Sequence, residues 1–142
     1  MWDKVRRELA LELDLLDRLM TEFRPIMPKI GAGETPGNVE LLALAAILHS
    51  FYVGVENVFK RIAVEVDGGL PHGAAWHRKL ADSMADETAA RGAVISRNLH
   101  ERLQEYLRFR HVFRHAYTFY LDWEEMAPLV LALEETLRLF QA

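Results

Sequence analysis

NVELLALAAILHSFYVGVENVFKRIAVEV, residues 38–66, is a run of 29 residues interrupted by one glycine and no proline. Its first half, Leu41 to Leu48, is apolar nearly all round, the mark of a helix enclosed by others. Its second half turns amphipathic, with Phe51, Tyr52, Val55, Phe59 and Ile62 facing inward while Glu56, Lys60 and Arg61 are polar. Asn38 or Thr35 can cap its start. Gly54 costs a helix about 1 kcal/mol relative to alanine, so it marks a close crossing with another helix. Asp67-Gly68-Gly69 ends the run, glycine supplying the left-handed backbone a helix terminus commonly needs. The most apolar part, Leu41 to Val55, is broken by His49 and Ser50 and falls short of a membrane span. The chain is therefore built around one central helix.

Working outward, Val5, Leu9, Leu13, Leu16, Met20 and Phe23 recur at steps of three and four, which predicts an amphipathic helix from Trp2 to about Phe23. Leu11 and Leu15 widen its apolar stripe, so it touches two neighbours. Pro25 and Pro28 stop it, and the stretch from Ile30 to Asn38 reads as a loop. On the other side of the central helix, Pro71 to Met84 reads as a shorter helix anchored by Trp76, Leu80 and Met84. Residues 85–95 show little periodicity and form a connection. Ser96 caps the next helix, with Leu99, Leu103, Tyr106 and Leu107 on its inner face. Asp122 with Glu125 three residues later makes a capping-box pattern. Leu129, Leu131, Leu133, Leu137 and Phe140 then build a last helix. Pro128 fits only a first turn, which makes residues 123–127 a separate short turn. No segment alternates as a strand does. The expected fold is all-α, an up-down bundle of four longer helices plus one or two short ones, forming a single domain over residues 1–142.

A chain of 142 residues with 51% apolar content can bury one core. The net charge of −4 argues against a basic coat for nucleic acid. Its distribution is uneven. Five arginines and two glutamates between Arg97 and Arg114 give that stretch +3 and leave −7 for the rest. A polyanion would be met by one face. The absence of cysteine excludes disulfides and thiolate metal sites and fits a reducing compartment. The first residues are too charged for a signal peptide. A soluble, cytoplasmic protein is expected, away from membranes.

The densest chemistry lies between Tyr106 and Trp123, where Arg108, Arg110, Arg114, His111, His115, Tyr106, Tyr117 and Tyr120 crowd together. Arginine offers a fixed fork of donors matched to phosphate, and histidine titrates near neutrality. On an unbroken helix, at about 100° per residue, Arg110 and Tyr117 lie roughly 20° apart, whereas Arg110 and His115 lie roughly 140° apart. For Arg110 and His115 to act together, the helix must bend between them or a second subunit must supply one of each pair. A break after about Arg110 would also shorten a helix otherwise about 39 Å long.

Arg110, four residues, then His115-Ala116-Tyr117 reproduces an R-x4-H-x-Y pattern, with a polar residue, His111, directly after the arginine. With the flanking blocks Ser50 to Asn57, Trp76-His77-Arg78 and Tyr106 to His111, the chain resembles HEPN-domain ribonuclease toxins of the HepT type from about Val39 to Leu131. The resemblance implies an antiparallel bundle forming a symmetric homodimer whose two R-x4-H segments face one cleft. It implies metal-independent, cofactor-free RNA cleavage to a 2′,3′-cyclic phosphate and a 5′-hydroxyl. His115 would be the general base or acid, and Arg110 would stabilise the pentacoordinate phosphate. His111 and Arg114 become auxiliary or RNA-binding candidates. An MNT-type nucleotidyltransferase antitoxin is the implied partner, adenylylating Tyr117 and placing a competing phosphate beside Arg110.

Each of these residues also has a plainer reading. Arg110 and His115 can be interhelix partners of carboxylates, and His111 an orienting or surface histidine. Arg114 can contact phosphate or be a solvated charge. His111 and His115 lie four apart on one helix face, but no third metal ligand is evident and no glutamate precedes a histidine by three positions. His49 reads as a core histidine. His72, His77 and His100 show no constellation, and Glu56 can reach toward the basic segment as a structural partner. Two other function classes stand beside the nuclease: a HEPN module that binds RNA, nucleotide or a nucleotidyltransferase without cleavage, and a helical interaction protein.

Overall fold

The computed structural model describes residues 2–33, 35–88, 91–115 and 121–141, and at 2, 31, 112, 114 and 115 the backbone alone. The architecture is all-α, a helical bundle. Its long helices are α1 (Trp2–Phe23), α3 (Asn38–Glu65), α5 (Arg97–His115) and α6 (Trp123–Gln141). Two short ones, α2 (Met27–Gly31) and α4 (Trp76–Met84), complete it, with a single 3-10 turn at Arg24–Ile26. No strand occurs among the described residues beyond an isolated bridge between Thr88 and Arg91.

Helix α3 touches α1, α4, α5 and α6, as its apolar surface requires. Leu44, Ala45, Phe51, Val55 and Phe59 are completely enclosed. Charge pairs fix the direction of α1 against it. Lys4 meets Glu65 at 3.8 Å, Glu8 meets Arg61 at 3.0 Å, and Leu16 packs over Gly54. The start of α1 therefore lies at the end of α3, antiparallel. Helix α6 runs antiparallel to α1 in turn, with Gln141 donating to Asp17 at 2.7 Å and Arg24 donating to Glu134 at 3.0 Å. Tyr106 on α5 donates its hydroxyl to the Leu129 carbonyl of α6 at 2.7 Å, and burial pushes that phenol up to about 12.

Several local expectations need correction. Helix α1 ends at Phe23 before Pro25, as expected, but the prolines do not open a loop at once. Each sits in the opening turn of a short helical segment, where its missing N–H has no partner to lose. Neither Thr35 nor Asn38 caps α3. Gly37 does, its N–H donating to Glu40 at 3.2 Å while Lys29 grips the same carboxylate at 3.0 Å. Helix α4 begins at Trp76 rather than Pro71, after a turn in which Gly73 has a φ of 101°. Pro128 lies inside α6, so residues 123–127 are its first turn and not a separate one. Leu131 is 55% exposed; Met126 and Val130 take the inner places at steps of four. Helix α3 is also longer than its most apolar run, and it is long and apolar enough to cross a membrane by length and composition. Here part of that surface is met by four other helices, while Val39, Leu42 and Val64 stay exposed. The Asp122 side chain caps α6 through the Glu124 N–H at 2.9 Å, and Ser96 caps α5 through Leu99 at 3.1 Å, both as expected.

The close crossing at Gly54 is stringent. A Cβ there would lie 2.5 Å from Leu16 Cδ2 and 3.0 Å from its Cγ. Gly54→Ala should therefore destabilise the protein in urea unfolding, despite alanine's helix preference. In a Leu16→Ala background the same change should become favourable, by up to about 1 kcal/mol. A stabilising Gly54→Ala in the native background would show that the crossing is loose.

Candidate active-site cleft

Glu56 lies on α3 at the end facing α4 and α5, and is only 3% exposed. A carboxylate enclosed in this way needs donors and countercharge. Both arrive from distant parts of the chain. His77, the second residue of α4, places Nδ1 2.7 Å from Glu56 Oε2. Arg110, on α5, places Nη2 3.8 Å from Glu56 Oε1. The short contact to a carboxylate places a proton on Nδ1 of His77, so that in the neutral ring Nε2 is the acceptor. The longer contact is attraction by charge, beyond hydrogen-bond reach. Arg110 Nε is buried with no hydrogen-bond partner among the described residues. One turn before Glu56, Tyr52 is buried among the same groups. Desolvation first, then Glu56, holds its hydroxyl well above the ordinary phenol range, against the pull of Arg110. It stays neutral.

His77 and Arg110 border a cleft of about 690 Å³ between the start of α4 and the outer face of α5. Its walls are Ala74, Ala75, His77 and Arg78 on one side and Gln104, Leu107, Arg108, Arg110 and His111 on the other. That volume suits a nucleotide-sized ligand. Three arginines supply positive charge, although Arg108 is 69% exposed and pairs with Glu105 at 2.6 Å. The ring of Trp76 lies 3.7 Å from that of His77, and Lys60 stands over Trp76 at 5.3 Å, so the histidine is wedged on its other flank. Beside the cleft a second link joins α4 to α5. His100 Nε2 lies 2.8 Å from Asp82 Oδ1, and Gln104 lies 3.5 Å from the same oxygen.

Helix α5 runs unbroken to His115, so no bend follows Arg110. Positions 104, 108, 111 and 115 form one row at steps of four and three, the neighbour spacing of a helix. The first three of them line the cleft. Arg110 stands on a different face of the helix, one turn after Leu107, and its side chain also borders the cleft. Position 115 is thus about 6 Å beyond His111 on the same row. The side chains of Arg114 and His115, and all of Tyr117, lie outside the described residues.

His111 is exposed and borders the cleft. His49 is half-buried and tilts against Phe113 at 5.3 Å. Two histidines credited with no constellation, His77 and His100, in fact have carboxylate partners. Those partners are 21 and 18 positions away, across helix contacts that no local spacing reveals. Only the Trp76-His77-Arg78 block hinted at His77.

Removing Glu56 should strand a largely buried arginine. Glu56→Leu is expected to cost about 3 kcal/mol in urea unfolding, and adding Arg110→Met should recover part of that loss. Strictly additive costs would show that the two charges are independent.

A family profile described as HepT-like protein matches residues 43–142, beginning in α3 and taking in every residue of the cleft. No curated protein and no solved structure gives a significant match. With well over half its length matched, including α4, α5, α6 and most of α3, the chain belongs to the HepT-like protein family, a HEPN-type helical fold.

Proposed function

We propose that the protein is a metal-independent endoribonuclease, the toxin of a toxin–antitoxin pair. In this reading it acts in the cytoplasm as a homodimer of one domain spanning residues 1–142. The observation that carries the reading is Arg110. Its guanidinium lies on the wall of a nucleotide-sized cleft, held from behind by a buried carboxylate and with a buried N–H unpartnered among the described residues. A donor fixed where charge develops stabilises a pentacoordinate phosphate without reorganising. Membership of the HepT-like family supports the same chemistry, since HEPN-type proteins are generally RNases.

In the reaction, the 2′-hydroxyl of RNA attacks the adjacent phosphorus and the 5′-oxygen leaves. Arg110 offsets the growing negative charge. His115 acts as base on the 2′-hydroxyl or as acid on the leaving oxygen, while His111 and Arg114 contact neighbouring phosphates. An MNT-type nucleotidyltransferase silences the toxin by adenylylating Tyr117, because the added phosphate competes for Arg110.

One observation favours a second reading, a HEPN module that binds RNA or a partner without cutting. Arg110 already faces Glu56, as an inert interhelix pair would. Incubation with total RNA in EDTA separates the two. The nuclease should release 2′,3′-cyclic phosphate and 5′-hydroxyl ends. Arg110→Ala and His115→Ala should each slow it by at least about 10²-fold with helicity intact. Tyr117→Phe should cut RNA yet resist adenylylation. Salt-sensitive RNA binding without cleavage would favour the second reading, and cleavage indifferent to both variants would exclude the assigned site.

A further inference from the structure

Cleavage through the 2′-hydroxyl needs both a base and an acid, and the R-x4-H pattern provides one histidine per chain, so the second group comes either from a second copy of the motif or from elsewhere in the same chain. The cleft wall holds two further imidazoles, His77 and His111, and a buried carboxylate holds the first. His77 borders the cleft opposite Arg110, and its Nδ1 is tied to Glu56 at 2.7 Å. Trp76 covers one side of the ring. The imidazole is therefore oriented from behind and from the side, with its acceptor nitrogen Nε2 left for chemistry. A carboxylate behind an imidazole also stabilises the cation that forms when the ring takes a proton, as in nucleophile–base–orienter arrangements generally. One buried carboxylate thus serves both walls, orienting the base and holding the arginine.

We propose that His77, positioned by Glu56, is the general base of this cleft, and that His115 is then the general acid. The inference rests on the ribonuclease reading above and deepens it. His77 Nε2 takes the proton of the ribose 2′-hydroxyl. The freed electron pair on O2′ forms the new bond to phosphorus while Arg110 faces the phosphate oxygens. The bond from phosphorus to O5′ breaks, its electron pair stays on O5′, and His115 delivers a proton there. The products are a 2′,3′-cyclic phosphate and a 5′-hydroxyl. The net transfer of one proton from His115 to His77 is reversed by exchange with water.

Two substrates separate base from acid: an RNA dinucleotide, and uridine 3′-(4-nitrophenyl phosphate), whose leaving phenolate needs no proton. The test uses His77→Gln, whose amide can still donate to Glu56 but cannot take a proton, and His115→Ala, each checked by thermal unfolding. On the dinucleotide both variants should lose at least about 10²-fold in kcat. On the nitrophenyl ester His77→Gln should lose as much again, whereas His115→Ala should return to within about tenfold of the native rate. A packing role for His77 would not distinguish the substrates from those of His115. If the native protein cleaves both substrates and His77→Gln matches it, the base assignment fails while the nuclease reading survives. If the native protein cleaves neither, the nuclease reading fails and takes this assignment with it.

Discussion

A carboxylate at 3% exposure on the most apolar helix of the chain has to be neutralised by whatever packs against it, and this requirement organises one end of the molecule. Glu56 draws the second residue of α4 and the fourteenth of α5 to within ion-pair distance of its two oxygens. An apolar residue of similar size would pack there at no electrostatic cost. What an ionised group adds is orientation: it sets the tautomer of His77 and turns the guanidinium of Arg110 along the cleft wall. His77 and Arg110 thus reach the cleft from helices, each facing one buried carboxylate.

The rest of the bundle makes that end rigid. Helix α1 locks on α3 where Leu16 occupies the space a side chain at Gly54 would need, and α6 is tied to both α1 and α5. Arg91, from the connection after α4, donates to both oxygens of Asp67 at 2.9 and 2.8 Å, closing the far side of the α3–α4 turn. Sites built on helices are generally more fixed than sites on loops, and preorganised donors are what electrostatic stabilisation of a reaction requires.

Much of the fold was legible from periodicity. The stripe from Val5 to Phe23 and the caps at Ser96 and Asp122 are local signals, and local signals report local structure; the segment Leu41–Leu48, expected to be enclosed all round, instead leaves Leu42, Ala43 and Ala46 exposed. The misjudged points depend on what lies across a helix contact or on how a proline is placed. Pro128 read as a boundary because its position within the helix turn is invisible before α6 is placed. Leu131 read as core because Met126 and Val130 compete for the same side. The cleft was half legible: Arg110 and His111 stood out by composition, and Glu56 was seen to point toward them. His77 did not, because its partner lies 21 residues earlier. The bend expected after Arg110 is absent because α5 continues to His115.

If this cleft cuts RNA, nucleotide must first lodge between α4 and α5. Side-chain NMR of the histidine and arginine signals, with a dinucleotide whose attacking 2′-hydroxyl is replaced by hydrogen, tests that directly without turnover. The account predicts that the largest shifts fall on His77, Arg110 and His111. Shifts confined to the exposed Leu11 and Leu15 face of α1, or none at saturating ligand, would contradict it.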